Sequence, residues 1–420
     1  MSFRKNILAS YSSQIVSVCC SFLASILATR MLGNKGQGAL ALYTNFIILS
    51  SLIISIGLPP GIVHFIASGK VAKEKLFSLL LGILAVGLGL LFVVIQFLSS
   101  FSLLDTFLPE FFHLSTFWLI FLFIHLFFTV LNSFLASTLQ AENKFKQAGY
   151  IVIQGSITFL ALYALKYYFQ ILDNVEPLKW ILGSLLCGNI FQFIFYIVEV
   201  YKTNTTYFHF GKIETDVIKP LMQFAFLAFA TNLIQFLSYK MDIWFVNYFH
   251  GKEQTGIYSL GVSLAQMVWI LPAAIQAVLY AFISTHQDKK QQIEKTITTT
   301  KQIGIYALAA GVSGYLTALY LVPILFGEAF RESVHVIGIL LLGVVPFCLS
   351  MAVSGYFAAT GRVKINLHSA ILGFIVCLLA DILLIPDYGI IGASVASVIS
   401  YLSTVLYLLI LFYRETTKRQ

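Results

Sequence analysis

ILASYSSQIVSVCCSFLASILATRM, residues 7–31, is a run of 25 residues with a single charge, Arg30, at its far end. A helix rising 1.5 Å per residue needs about 20 apolar residues to cross roughly 30 Å of hydrocarbon. The run therefore reads as a membrane-spanning helix. It is too long for the apolar part of a signal peptide, roughly 7 to 15 residues, and no small-residue cleavage pattern follows, so the N-terminus is expected to be retained. Equivalent runs follow at 39–67, 76–101, 114–139, 148–170, 178–200, 219–249, 256–285, 302–326, 333–360, 365–386 and 389–412, giving twelve expected spans. The composition agrees with this reading. Of 420 residues, 59% are hydrophobic and 10% charged, with a mean hydropathy of +0.88. That is too little charge to cover a soluble surface.

The formal net charge is +8 and the pI about 9.1. The basic residues lie in short loops between apolar runs, so they read as topology signals and not as a nucleic-acid surface. With the N-terminus in the cytoplasm, 19 of the 26 basic residues fall on the inner side and 6 on the outer, and Lys240 lies within a span. That bias predicts both termini in the cytoplasm. Cys19, Cys20, Cys187, Cys348 and Cys377 all fall inside spans, where they read as packing residues. The sequence holds no Ser/His/Asp set, no Cys/His metal spacing and no P-loop, so no catalytic site, metal or cofactor is expected. An enzyme is disfavoured, and the energy source is expected to be an ion gradient or none.

The polar insert Tyr201–Asp216 divides the spans six and six. An offset of 218 then links the halves: Gly33 and Gly38 to Gly251 and Gly256, Glu110 to Glu328, and Lys144 and Lys146 to Arg362 and Lys364. Several matches at one offset indicate duplication. Because six is even, the copies share one orientation about an axis along the membrane normal. The expected fold is an all-α polytopic membrane protein of two six-helix lobes, 1–200 and 219–420, joined by a cytoplasmic linker at 201–218. A central cavity between the lobes is the natural substrate path, which is transporter architecture.

Gly33, Gly36 and Gly38, like Gly251 and Gly256, permit positive φ in a tight outer turn after the first helix of each half. Pro59, Pro60 and Pro272 remove backbone donors and are expected to bend the second and eighth spans, as hinges or as static kinks. Glu110 and Glu328 read as carboxylates at the start of outer helices, where the helix dipole favours them. Lys144, Lys146, Arg362 and Lys364 read as inner helix ends, where topology and anionic lipid head groups both favour them.

RMLGNKGQGALALY (30–43), KMDIWFVNYFHGKEQTGIYSL (240–260), LFGEAF (325–330), AATGRVKIN (358–366) and LIPDYGIIGASVAS (384–397) follow one another along the chain. Together they resemble the Wzx-type polysaccharide flippases of the multidrug/oligosaccharidyl-lipid/polysaccharide exporter superfamily. The resemblance implies movement of an undecaprenyl-pyrophosphate-linked sugar unit from the cytoplasmic to the outer leaflet of a bacterial inner membrane. It also implies membrane lipids as surroundings, and the polymerase and glycosyltransferases of the pathway as candidate partners.

A charge in mid-membrane costs on the order of 2.5 to 3.5 kcal/mol, so Lys240 and Asp242 require an explanation. They stand roughly 200° apart around a helix and so are poorly placed to pair with each other. Asp242 shares an arc with Asn232, Gln235 and Tyr239, either as a cavity lining or as polar glue between helices. Span one carries Ser10, Gln14, Ser17, Ser21 and Ser25 on a similar arc, and Gln14 maps onto Asn232 at the offset. Arg30 either snorkels to head groups or binds phosphate. His125 reads as a hydrogen-bonded core histidine or a titrating group. Asp381, near Pro386, is expected at the solvated outer surface.

Two further classes remain: a cation-coupled multidrug antiporter of the related MATE type, and a membrane-embedded glycosyltransferase or polymerase. The first usually places an acid in the first span, which here has none. The second needs catalytic residues on a large outer loop, and the outer loops are short. The expected topology puts Lys252 and Lys289 on opposite faces of the membrane. Single cysteines at these positions should therefore react with an impermeant maleimide from opposite sides, and labelling of both from one side refutes twelve crossings.

Overall fold

In lipid a backbone amide finds no water to bond, so a spanning segment must satisfy its own peptide groups, and a helix does this within one segment. The computed structural model describes residues 3–67, 73–101, 104–109, 112, 115–171, 174–203, 215–285 and 288–417, and no strand occurs among them. Nine helical stretches of the described residues are long and apolar enough to cross a membrane. Glu110, and most of the insert at 201–218, lie outside the described residues.

The helices are α1 (Phe3–Ser55), α2 (Leu58–Ala67), α3 (Lys73–Ser100), the short α4 (Leu104–Phe107), α5 (Thr116–Ala141), α6 (Phe145–Phe169), α7 (Pro177–Thr203), α8 (Thr215–Gln266), α9 (Ile270–Thr285), α10 (Lys289–Phe326), α11 (Ser333–Ala359) and α12 (Val363–Thr417). Three of them run for more than 50 residues, and each contains one glycine with a non-helical backbone: Gly33 in α1, Gly251 in α8 and Gly389 in α12. The tight turns expected after the first helix of each half are thus single-residue breaks in otherwise continuous helix. Gly33 (φ 63, ψ −174) and Gly251 (φ 78, ψ 179) occupy a region open essentially to glycine alone.

Element bounds also recur at the offset of 218. Helix α5 ends at Ala141 and α11 at Ala359; α6 starts at Phe145 and α12 at Val363. Between them, Asn143 (φ 59) and Gly361 (φ 78) take the left-handed conformation that ends a helix. Each turn closes with the same long bond, Lys144 N–H to the Leu139 carbonyl and Arg362 N–H to the Phe357 carbonyl, both 2.8 Å. The side chains then turn to carboxylates near the end of a following helix. Lys144 lies 3.5 Å from Glu199, and Arg362 bonds Glu415, which also takes Lys289 at 2.6 Å.

The chain forms two units, described separately: Met1–Leu32 with Leu42–Leu233, and Gly33–Ala41 with Ile234–Gln420. The first turns of α8 therefore group with the first unit, 15 residues beyond the end of the expected linker. The reason is local: Ala225 backbone presses on Gly57, where a Cβ would meet the Ala225 carbonyl at 2.1 Å, and Phe224 packs edge-on against Phe65.

In the first unit α5 is the central helix, with Leu122, Leu126, Val130 and Phe134 along its buried stripe. In the second unit α11 takes that place, buried along Val336, Leu340, Val344 and Cys348 and packed against α9, α10 and α12. An apolar helix without a polar face needs such enclosure. The proline bends occur as breaks just before the prolines: Ile56–Gly57 precedes Pro59 and Pro60 at the start of α2, and a 3-10 turn at Met267–Trp269 precedes Pro272 in α9. A proline supplies no N–H to the carbonyl four residues earlier, and there the helix gives way.

Gly33–Ala41 lies against α8 with no room for side chains. A Cβ on Gly38 would stand 1.9 Å from the Lys252 carbonyl oxygen, and one on Gly256 would stand 1.9 Å from that of Asn34. The contact is reciprocal under the offset, since 34 maps to 252 and 38 to 256. Gly38→Ala and Gly256→Ala should each force these helices apart and sharply lower the amount of folded protein in membranes. Gly33→Ala, whose site has open space but a positive φ, should cost about 1–3 kcal/mol. Gly82→Ala in α3, open and helical, should be neutral or stabilising by up to ~1 kcal/mol. Melting in detergent measures all four, and equal effects at Gly33 and Gly82 refute the backbone argument.

Candidate functional site

Each unit encloses one buried polar centre. In the first, His125 of α5 meets Tyr43 of α1 through Nδ1, and its Nε2 accepts from the Asn189 amide of α7 at 2.7 Å. Because Nε2 accepts, a neutral ring carries its proton on Nδ1 and donates it to the Tyr43 oxygen. Asn132, one face along from His125, donates to the Asn189 carbonyl at 2.9 Å. Of the two sequence readings for His125, the geometry is that of a satisfied core histidine. Such a network fixes the register of three helices and leaves the ring nitrogens occupied.

The second centre is acidic. Asp242 in α8 is only 2% exposed. Its Oδ2 accepts from the Tyr258 hydroxyl and from Ser397 of α12 at 3.1 Å, and its Oδ1 accepts from the Ile243 backbone at 2.8 Å. Asp381, also in α12, is 0% exposed. The expectation of a solvated outer position for it is therefore corrected: this face of α12 packs against α8, with Cys377 one turn earlier 3.7 Å from the Ser238 carbonyl. Cys377 Sγ lies 3.6 Å from its Oδ2, while Oδ1 has no hydrogen-bond partner among the described residues. The two carboxylates lie within electrostatic reach of one another. Two carboxylates in an apolar interior need a positive partner, which a shared proton or cation supplies. Nearby, the break at Gly389 frees the Ile385 carbonyl, and His250 Nε2 donates to it at 2.7 Å.

The residues singled out from sequence fall in different surroundings. Lys240 is half-buried and donates to Gln266 Oε1 at 3.2 Å. It makes no ion pair among the described residues, as its angular separation from Asp242 implied. Asn232 and Gln235 are exposed, Tyr239 is half-buried and Asp242 is enclosed. The four share an arc of α8 but not one environment, because neighbouring helices cover the arc progressively toward Asp242. Gln235 Nε2 reaches the Tyr239 hydroxyl at 3.4 Å. Arg30 is exposed. The Gln14 side chain lies outside the described residues. Ser17 bonds Ser156 of α6 at 2.7 Å and Ser25 bonds the Phe22 carbonyl at 2.7 Å, so these two serve packing.

Sequence reasoning passed over Tyr258, Ser397 and Asp381 as a set with Asp242. One signal was present, a lone acid in the apolar run LLADILL, but the partners lie 16 and 155 residues from Asp242 and only the tertiary packing joins them.

With this geometry in hand, comparison with known proteins is informative. A family model described as polysaccharide biosynthesis protein matches residues 26–335. A protein named for O-antigen transport in Shigella flexneri is 23% identical over 273 residues, covering 64% of this chain and 62% of its own. One named for a low-salt glycan biosynthesis flippase in Haloferax volcanii is 20% identical over 265 residues, covering 56% and 53%. The chain thus spans less than two thirds of the length of these relatives. Among solved structures, an inward-facing MATE family multidrug resistance transporter aligns over 96% of this chain and 98% of its own with a TM-score of 0.76 at 14% identity. The lipid II flippase MurJ in an inward closed conformation aligns over 94% and 87% with a TM-score of 0.71 at 18% identity. These two likenesses establish the fold.

The bonding around Asp242 gives a quantitative expectation. Asp242→Ala strands a buried tyrosine and a buried serine hydroxyl and should destabilise by about 2–4 kcal/mol. Asp381→Asn removes like-charge repulsion at little cost in contacts and should leave the melting temperature in detergent unchanged or higher. A loss from Asp381→Asn as large as that from Asp242→Ala refutes the repulsive pairing.

Proposed function

The chain belongs to the polysaccharide biosynthesis protein family, and from that premise we propose that it is a flippase for a lipid-linked oligosaccharide. In this reading it moves an undecaprenyl-pyrophosphate-linked repeat unit across the bacterial cytoplasmic membrane by alternating access. The observation that carries the reading is Lys240, an ammonium well inside an apolar helix, half-buried and held by a neutral amide, while the carboxylate two residues away is engaged elsewhere. A cation so placed suits an anionic substrate; a cationic drug is better served by a free acid.

The proposed architecture is twelve crossings in two six-helix lobes, 1–200 and 219–420, with both termini cytoplasmic. Its support is that three of the nine long apolar helices contain a glycine break, and that breaks, helix ends and turns recur at the offset of 218. Gln14, Arg30 and Asn232 in the first unit, and Gln235, Tyr239 and Lys240 in the second, are the proposed substrate-contacting residues of each. Arg30 holds phosphate bidentately and Lys240 acts as a point charge. Asp242 is assigned to the enclosed acid pair, through which a proton or cation gradient couples to transport. The polymerase and glycosyltransferases of the same pathway are the proposed partners.

The antiporter reading shares the fold and the need for a buried acid, and a single residue separates the two. Lys240→Ala should abolish surface polysaccharide at normal protein abundance, while Lys240→Arg should retain part of it, because charge is kept and shape altered. Surface polysaccharide and membrane abundance are measured in a strain lacking its own copy. Normal export by a well-expressed Lys240→Ala variant overturns the role of Lys240. Unchanged polysaccharide on deleting the protein overturns the flippase reading itself.

A further inference from the structure

Beside Lys240 lies a group of four aromatic rings, of which only Tyr239 is among the proposed substrate-contacting residues. Tyr239 is 5.2 Å from Trp269 between ring centroids, Trp269 is 5.3 Å from Phe347, and Phe347 is 5.3 Å from Tyr401. Phe347 and Tyr401 are buried and form a floor; Tyr239 and Trp269 are half-buried and stand at its edge, as do Lys240 and Gln266. All six belong to the second unit. They come from α8, the 3-10 turn at Met267–Trp269, α11 and α12. The turn that precedes Pro272 places Trp269 against Tyr239.

Two polar facts distinguish this group from ordinary packing. Buried indole N–H groups usually find an acceptor, yet the Trp269 Nε1 is enclosed and has no hydrogen-bond partner among the described residues. The Lys240 ammonium, with three donors, uses one on Gln266 Oε1. Asp242, the acid nearest in sequence, gives its oxygens to Tyr258, Ser397 and Ile243. The half-buried edge therefore presents aromatic faces, with the Lys240 ammonium at one end and the unpartnered indole N–H enclosed just behind it.

A pyranose ring has the complementary chemistry. Its C–H face carries slight positive charge, which the negative face of an aromatic ring attracts, and its hydroxyls accept hydrogen bonds. A phosphate on its anomeric carbon supplies the anion for an ammonium.

Resting on the flippase reading, we propose that Trp269 and its aromatic neighbours form a subsite for the phosphate-bearing sugar of the substrate. The ring stacks at the Tyr239–Trp269 edge, the Trp269 side chain turns outward so that its enclosed indole N–H donates to a ring hydroxyl, and Lys240 holds the phosphate. Tyr239 and Trp269 are thus specificity-determining residues for a glycosyl phosphate, and Phe347 and Tyr401 support them from beneath.

The test separates the indole N–H from the bulk of the ring. Trp269→Phe keeps an aromatic ring in place but removes the donor, so it should lower polysaccharide export about tenfold, the worth of roughly one hydrogen bond, at unchanged membrane abundance. Glucose 1-phosphate, inorganic phosphate and methyl glucoside are titrated separately into the detergent-solubilised full chain while tryptophan fluorescence is followed. Glucose 1-phosphate should produce a saturable change that Trp269→Phe and Lys240→Ala each abolish, and methyl glucoside alone should bind far more weakly. Inorganic phosphate reproducing the whole change overturns the role of the ring stack, and silence of all three probes overturns the subsite. Full export by Trp269→Phe in a strain that depends on the wild-type protein overturns this proposal and leaves the flippase reading intact. A strain whose polysaccharide does not depend on the wild-type protein overturns the flippase reading instead.

Discussion

Hydrocarbon offers a peptide group no hydrogen-bond partner, and much of this structure follows from that constraint. The chain answers with helices of up to 55 residues and departs from them sparingly. Where it departs, substitutes take over the freed groups. At the ends of α5 and α11 a left-handed residue lets an N–H reach back to an orphan carbonyl, and at Gly389 the His250 ring bonds the released Ile385 carbonyl. At Gly33 and Gly251 a single glycine reverses φ and the helix resumes at once.

The same economy governs polar side chains. The first unit buries a neutral network of His125, Tyr43, Asn189 and Asn132, which holds three helices in register without charge and leaves only the Asn132 amide oxygen without a partner among the described residues. The second unit buries two carboxylates and satisfies only one of them fully. Asp242 receives three donors, while Asp381 retains an unbonded oxygen. The difference between the units is one of charge: the buried centre of the first is neutral, and that of the second is acidic.

Charge placement on α8 gives neighbouring residues different surroundings. Lys240 and Asp242 are two residues apart on α8, and the helical twist sends them to different neighbours: the lysine to Gln266 beside a half-buried aromatic edge, the aspartate to an enclosed hydroxyl pair. One turn of helix thus carries a base and an acid whose hydrogen bonds go to different partners. At the ends of the helices the pattern is the opposite, since Glu415 is shared between Arg362 and Lys289 and fastens α10 to both ends of α12.

By itself the sequence determined the class of protein, because apolar runs of about 20 residues have few physical outcomes other than membrane helices. It also located the breaks at Gly33 and Gly251, whose recurrence is legible as an offset, and those before Pro59 and Pro272, whereas Pro220, Pro323, Pro346 and Pro386 lie inside helices. The separation of Lys240 from Asp242 was legible as well, from helical twist alone. What only the tertiary structure decided depends on neighbours remote in the chain. Asp381, read as a surface group from its nearness to Pro386, is enclosed because its face of α12 packs against α8. The four-residue arc on α8 divides into exposed and buried parts because other helices cover it unevenly. Trp269, apolar in any sequence pattern, becomes an unpaired donor beside Lys240 only when a 3-10 turn and two distant aromatic rings place it there. A one-dimensional pattern reports which groups share a face of one helix; which helices cover that face is a property of packing alone.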